Sequence, residues 1–443
     1  MPLNRSGAPR PRHRWLPDLR ALAALTALLI GGLLASAGPA VAHAELVSCS
    51  PADGSVIARE PLQVTLAFSE DVTVRLSSVR VIGPDGRRLD RQPPQAVPPG
   101  DRRIAVGLAP ETQQGTYVLE WLATAADDGH ATSGTLSFSV GAPSRTPVGQ
   151  GLGTPDRVTD AVLDTAVWLG FAGLALLVGS AVIRRCAPQG RDPAPPAPSL
   201  RRAGSVGWAV LLAGTVVQLF VHGPATQGEA VARITDRALL GATLSTREGH
   251  LLIARIVLLA LVATIGDPLL RHRRGAVPAV LLVLGLAATW SGTSHASSGS
   301  LVPLSLAVTT LHVTAFAVWA GGLSGLLVLS RGSGSGLPPL TVTRFSRVAL
   351  TAVAVLAATG LYQAFREIGR SSELTGTWYG RLLLVKTVIV VLVVLAASVT
   401  RRYALRPDSG PPTVLRRAAL LELVGVTAVL LVTVLLIGQP PPR

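Results

Sequence analysis

Residues 115–140 read Gly115-Thr-Tyr117-Val-Leu119-Glu-Trp121-Leu-Ala-Thr-Ala-Ala-Asp127-Asp128-Gly129-His130-Ala-Thr-Ser-Gly134-Thr-Leu136-Ser-Phe138-Ser-Val140. Large apolar residues recur at every second position, first as Tyr117, Leu119 and Trp121, then as Leu136, Phe138 and Val140. A period of two belongs to strands with one buried face. A polar Asp-Asp-Gly-His turn separates the two runs. The same alternation appears upstream in Leu62-Gln63-Val64-Thr65-Leu66-Ala67-Phe68. Turn signals at Pro51-Ala52-Asp53-Gly54 and Gly83-Pro84-Asp85-Gly86 punctuate the strands. About a hundred residues of short strands and turns, 43–141, predict an all-β sandwich.

On either side the composition changes. Residues 142–157 form a Gly/Pro-rich linker, and 158–437 carry eight apolar runs, near 161–183, 204–222, 250–265, 275–291, 303–329, 348–365, 381–399 and 418–437. Each can span a bilayer as a helix, which takes about 20 residues. The expected fold is therefore a β-sandwich followed by an all-α polytopic membrane domain of about eight transmembrane helices, with a short tail at 438–443. The whole-chain figures agree: 49% hydrophobic residues, 15% charged, and a mean hydropathy of +0.46. The formal charge of +15 does not point to nucleic acid, because the arginines cluster between apolar runs.

Residues 1–42 read as a signal peptide. Arg5, Arg10, Arg12, Arg14 and Arg20 precede an apolar stretch from Ala21 to Leu34, and Ala40-Val41-Ala42 is a small-x-small cleavage site. Cleavage there exposes His43 as the first residue. The sandwich is then extracytoplasmic, and the loops rich in Arg184, Arg185, Arg271, Arg273, Arg274, Arg401 and Arg402 face the cytoplasm of a bacterial plasma membrane. Two halves of the membrane region echo one another. Thr246 to Arg255 resembles Thr377 to Lys386, and Trp168-Leu-Gly170 resembles Trp319-Ala-Gly321. A parallel repeat of four helices plus four is expected, as in transporters.

Histidine carries the chemistry. Of eight in the chain, His43, His130, His222, His250, His295 and His312 map to the outer side of this topology. Imidazole is the commonest metal ligand, so the bias suggests a metal entry route. An N-terminal His43 offers its α-amino nitrogen and ring Nδ1 as one chelate, and Asp128 and His130 alternate around Gly129. Nitrogens plus one carboxylate suit tetragonal Cu(II). The plain alternative is an ordinary Asp-Gly-His surface turn. Cys49 and Cys186 form no CxxC pair, and Met1 is the only methionine, so soft thioether ligands are lacking. Within the membrane His312 is the first candidate ligand, with His295, His250 and His222 able to join it; a helix-packing role for His312 is the alternative. Arg255 and Lys386 are expected to snorkel to the outer interface, and Glu422 to the inner one. No Walker loop, nucleotide fingerprint or nucleophile–base pair occurs.

Taken in order, His43-Ala44-Glu45-Leu46, Ser50-Pro51-Ala52-Asp53-Gly54-Ser55, Phe68-Ser69-Glu70 and Asp128-Gly129-His130 with Ser133-Gly134 resemble the copper-resistance family CopC. Leu311-His312, Trp319-Ala-Gly321-Gly322-Leu323, Arg344-Phe345-Ser346-Arg347 and Tyr379-Gly380-Arg381-Leu382-Leu383 resemble its membrane partner family CopD. The resemblance implies a Greek-key sandwich binding Cu(II) through His43, Asp128 and His130, with Glu70 as a supporting carboxylate. The Met-rich Cu(I) site of some family members has no counterpart here. The expected function is copper homeostasis without enzymatic activity, with Cu(II) bound outside and copper moved across the membrane, inward because no energy-coupling site is visible. Copper, the lipid bilayer and an extracytoplasmic copper chaperone are the expected partners. A membrane redox protein holding b-type haem is the alternative, and a copper oxidase ranks last, since Asp128 would fill the position oxygen needs.

Overall fold

The computed structural model describes residues 44–110, 113–126, 131–144, 156–188, 197–271, 275–292, 301–332, 338–367, 373–404 and 412–437. Its first part is a pair of four-stranded sheets. One has the order β1 (Leu46–Ser50), β3 (Gln63–Phe68), β6 (Arg103–Gly107), β5 (Gln95–Ala96), and the other β2 (Val56–Ile57), β8 (Ala131–Val140), β7 (Gly115–Thr124), β4 (Ser78–Ile82). All pairings are antiparallel except β2 with β8. Leu66, Ile104, Tyr117, Leu119, Trp121 and Phe138 meet between the sheets. Tyr117 stacks on Phe138 at 5.2 Å between ring centroids, and Phe68 meets Trp121 edge-on at 5.5 Å.

Gly134 lies opposite Trp121 in the β7–β8 register, and a Cβ there would come within 2.8 Å of the indole. The glycine lets the large ring lie flat on the neighbouring strand. Gly134→Ala is expected to displace Trp121 and cost about 1–3 kcal/mol, the usual range for overpacking. A shift in the sandwich's tryptophan emission together with a lower unfolding midpoint would report it; an unchanged midpoint would refute it.

One departure from the alternation concerns β7. All ten of its residues are buried, not every second one. Its outward-facing set is covered as well: Glu120 meets Arg80 at 3.4 Å, the Thr124 hydroxyl donates to the Leu76 carbonyl, and Leu122 faces the helical region. Gln227, at the end of a membrane helix, reaches the same sheet. Its Nε2 donates to the Leu76 carbonyl (2.6 Å), and its Oε1 accepts from the Ser78 hydroxyl (2.9 Å). The sandwich thus docks on the helices through the sheet carrying β7.

The second part is helical: α1 (Arg157–Cys186), α2 (Pro198–Thr226), α3 (Arg237–Leu244), α4 (Arg247–Arg271), α5 (Ala276–Ser291), α6 (Val302–Gly332), α7 (Pro339–Glu367), α8 (Glu373–Gly376), α9 (Trp378–Ala404) and α10 (Pro412–Ile437). Each of the eight apolar runs falls on a helix, but among the described residues only six helices are long and apolar enough to cross a membrane. α5, with 16 residues, is a shorter apolar helix: at 1.5 Å per residue it is about 24 Å long, against a hydrocarbon core about 30 Å thick. α10 is 26 residues long, and its described apolar stretch is Glu422–Leu436.

Glycines set the helix contacts. A Cβ on Gly173 would meet the Leu211 backbone nitrogen at 2.6 Å, and one on Gly179 or Gly321 would collide with the other helix's backbone. So α1 runs antiparallel to α2, with Gly173 at Gly207 and Gly170 near Gln218, and parallel to α6, with Phe171 near Phe316 and Gly179 at Gly321. The start of α1, the end of α2 and the start of α6 therefore share the side on which the sandwich sits.

Two ionisable groups correct the snorkelling expectation. Arg255 is only 1% exposed: its guanidinium lies 3.5 Å from the Trp290 ring centroid, and its Nε donates to the Thr289 hydroxyl at 2.8 Å. An aromatic face and a hydroxyl replace the water it was expected to seek. Glu422 is 3% exposed and so does not reach an interface.

Candidate metal site and membrane cavity

His43, Asp128, His130 and His295 lie outside the described residues. The described residues next to them in the chain make the following contacts. Ala44 is fully buried, and its carbonyl accepts from the Thr132 hydroxyl at 2.8 Å, two residues beyond His130. The Glu45 amide donates to the Ser69 hydroxyl (3.0 Å), and the Ser69 amide donates to the Glu45 carbonyl (2.9 Å). On the far arm of the hairpin, the Ala126 amide donates to the Asp71 carbonyl at 2.9 Å. Residues adjoining His43, Glu70, Asp127 and His130 are thus tied together at one end of the sandwich. Glu70 itself is half-buried just beyond β3. Burial raises the Cys49 thiol above its ordinary range, so it stays protonated and packs as a small apolar side chain.

Beside this end opens a cavity of about 1240 Å³. Leu122 of β7 and Ala131 and Ser133 of β8 line it from the sandwich. Asp160 and Asp164 of α1, His222 of α2 and Glu248 of α4 line it from the helices, and His312, Phe316 and Trp319 of α6 with Lys386 of α9 take it into the bundle. Three carboxylates stand against Arg366 and Lys386 in a cavity walled by Phe171, Phe316 and Trp319, and the carboxylates favour the entry of cations. Among the described residues, no three His, Cys, Asp or Glu side chains converge closely enough to hold a metal ion.

His312 and His222 share this cavity, whereas His250 is exposed at the start of α4 and does not line it. The contacts of His312 fit one tautomer. The Thr359 hydroxyl has one proton, which it donates to the Val355 carbonyl at 2.6 Å. It therefore accepts from His312, whose Nδ1 lies 2.8 Å away, and the ring's lone pair is left on Nε2. Metal-ligating histidines likewise give their second ring N–H to an acceptor that fixes the ring, most often a carboxylate, a carbonyl or water. His222 is 7% exposed, and its Nε2 is buried with no hydrogen-bond partner. The sequence placed His222 at a helix end but carried no sign that this end is buried, since burial there depends on α1 and α3 packing over it.

The Gln227 contact is expected to hold the sandwich over this cavity. Gln227→Ala removes both hydrogen bonds, each worth about 1 kcal/mol. Cleavage by added protease at the linker 142–157 should rise several-fold, while an unchanged cleavage rate would show that the docking lies elsewhere.

Three family models match the chain. A CopC domain covers residues 46–141, a "Copper resistance protein D-like, N-terminal domain" covers 158–303, and "Copper resistance protein D" covers 339–436. The chain is 28% identical over 372 residues to the copper transport protein CutJ of Bacillus subtilis, spanning 80% of this chain and 67% of that protein. It is 33% identical over 125 residues to copper resistance protein C of Escherichia coli, spanning 26% of this chain and 94% of that one. Among solved structures it is similar to CopC from Methylosinus trichosporium OB3b, with 26% identity over 23% of this chain and 97% of that chain at a TM-score of 0.21. PcoC of Escherichia coli is similar at 26% identity, covering 22% of this chain and 98% of that chain with a TM-score of 0.19. The chain accordingly belongs to the copper resistance protein family, carrying a CopC domain and a CopD membrane region in one polypeptide.

Proposed function

We infer that this protein captures Cu(II) on the extracytoplasmic side and moves copper inward across the plasma membrane of a bacterium. In this reading the mature chain begins at His43, which binds Cu(II) through its amino and ring nitrogens. Asp128 and His130 complete the site, Glu70 supports it, and the sandwich of 43–141 serves the helices of 158–437. The observation that carries the reading is the shared location of the capture tethers and the cavity. Thr132 anchors Ala44, while its neighbours Ala131 and Ser133 line the cavity. An ion released at that end of the sandwich lies beside a chamber lined by Asp160, Asp164 and Glu248.

The inward direction has a physical source. A membrane negative inside contributes about 2.3 kcal/mol per charge per 100 mV to cation entry, so no nucleotide site is needed. An extracytoplasmic copper chaperone would load the sandwich. The haem alternative gains nothing from relatives that are copper proteins, and purified protein without a Soret band would close it. An oxidase would need an open copper position that Asp128 fills.

The test is Cu(II) electron paramagnetic resonance on the full chain, together with copper uptake into right-side-out vesicles. Wild type should show a nitrogen-rich tetragonal signal and import. His43→Ala and His130→Ala should each lose the signal and slow uptake at low copper. A signal untouched by both substitutions would sink the capture site, and accumulation only in inverted vesicles would reverse the direction.

A further inference from the structure

The cavity contains two imidazoles that capture at the sandwich does not use. His222 lies about one turn from the sandwich-side end of α2, with its Nε2 buried and unpartnered. His312 lies about 15 Å along α6 from the same side, at 1.5 Å per residue, with its lone pair on Nε2. Both line the cavity, at different depths. An unpartnered imidazole nitrogen in an apolar bundle costs free energy unless a ligand uses it.

We propose that His222 and His312 are successive ligands for a copper ion, taking it from the sandwich-side end of the cavity to the depth of the bundle. The proposal rests on the copper-transport reading and adds the groups that carry the ion within the membrane. Thr359 is the positioning residue: it accepts from Nδ1 and thereby presents Nε2. Gly360 lies flat against the same ring, since a Cβ there would be 3.4 Å from Cε1. Lys386 lines the same cavity and brings a positive charge into it. A positive neighbour weakens the hold of Nε2 on a cation, making His312 a transit ligand and not a trap. Conduction needs sites that bind well enough to be entered and weakly enough to be left. Asp160, Asp164 and Glu248 nearer the entrance supply the opposite charge that draws the ion in.

The test uses the full chain in proteoliposomes supplied with copper alone, with and without ascorbate. Copper flux is measured beside the Cu(II) resonance signal of the sandwich. His312→Ala should lower flux at least about tenfold in both conditions and leave the sandwich signal intact, and His222→Ala should lower it in the same direction. Thr359→Val keeps the histidine and removes only its acceptor, so it guards against a folding artefact. It should weaken transport by about 10–100-fold, the usual cost of losing a ligand's supporting hydrogen bond. Lys386→Gln should leave more copper bound per protein after washing. Wild-type flux in both histidine variants, with the sandwich signal present, would overturn the relay and leave capture standing. Loss of flux on His312→Ala with no effect of His130→Ala on the signal would keep the relay and remove the capture site.

Discussion

Gly321→Leu should abolish the folded membrane region. A Cβ at Gly321 would run into the Ala175 carbonyl, and it would lie 2.9 Å from the Gly179 amide nitrogen. These are backbone atoms, which cannot rotate away as a side chain can. On its other flank α1 is also held closely, because a Cβ on Gly173 would lie 2.8 Å from the Gly207 carbonyl oxygen. Retreat of α1 from α6 would therefore drive it into α2. In lipid, small residues let helices approach closely, and the dispersion contacts so gained are the main source of association. The leucine forfeits them and adds overpacking well beyond the usual 1–3 kcal/mol, since nothing nearby can yield. Phe171, Trp290 and Phe316, which pack together in this region, would separate. Size-exclusion chromatography of detergent-solubilised protein should show aggregate in place of a single peak. A wild-type profile would mean that α1 and α6 do not touch at these glycines.

The second large effect is expected at Tyr117. It is fully buried, stacks on Phe138, and donates its hydroxyl to the Gln113 carbonyl at 2.7 Å. Truncating such an aromatic costs about 3–5 kcal/mol, against a total of about 5–15 kcal/mol for a typical domain. Tyr117→Ala should therefore leave a sandwich that opens readily, seen as rapid cleavage within 44–141 of the full chain under pulse proteolysis. Copper should reverse part of the loss. A ligand that binds only the folded state adds about 2.7 kcal/mol when present at about 100 times its dissociation constant. Cu(II) should thus protect Tyr117→Ala strongly, but give no protection once His130→Ala is added. Equal protection in the double variant would place the copper elsewhere.

Much of this was legible along the chain. Tyr117, Leu119, Trp121, Leu136, Phe138 and Val140 signalled strands because a period of two needs no knowledge of the partner. The apolar runs signalled helices because lipid leaves the backbone no other way to satisfy its polar groups. The ordered motifs from His43 to Leu383 were enough to indicate both families before any contact was known. Helix length was less legible: the apolar run 250–265 became the helix Arg247–Arg271, since the share of flanking polar residues in a helix is set by packing.

Periodicity states which face of an element is apolar, but not what will cover it, and tertiary structure decided the rest. Burial of both faces of β7 required Arg80, the segment around Leu76 and the helices to cover its outer side. Arg255 was read as a group seeking water, because its partners Thr289 and Trp290 lie on another helix and no spacing rule links the two. His222 and His312 stand 90 positions apart; only the glycine contacts that set α2 antiparallel and α6 parallel to α1 bring both to one cavity. Residue chemistry and periodicity are local and can be read in order along the chain. Burial, tautomer and shared cavities depend on which distant backbone comes close, and here that is settled where Gly173, Gly179 and Gly321 let helices touch.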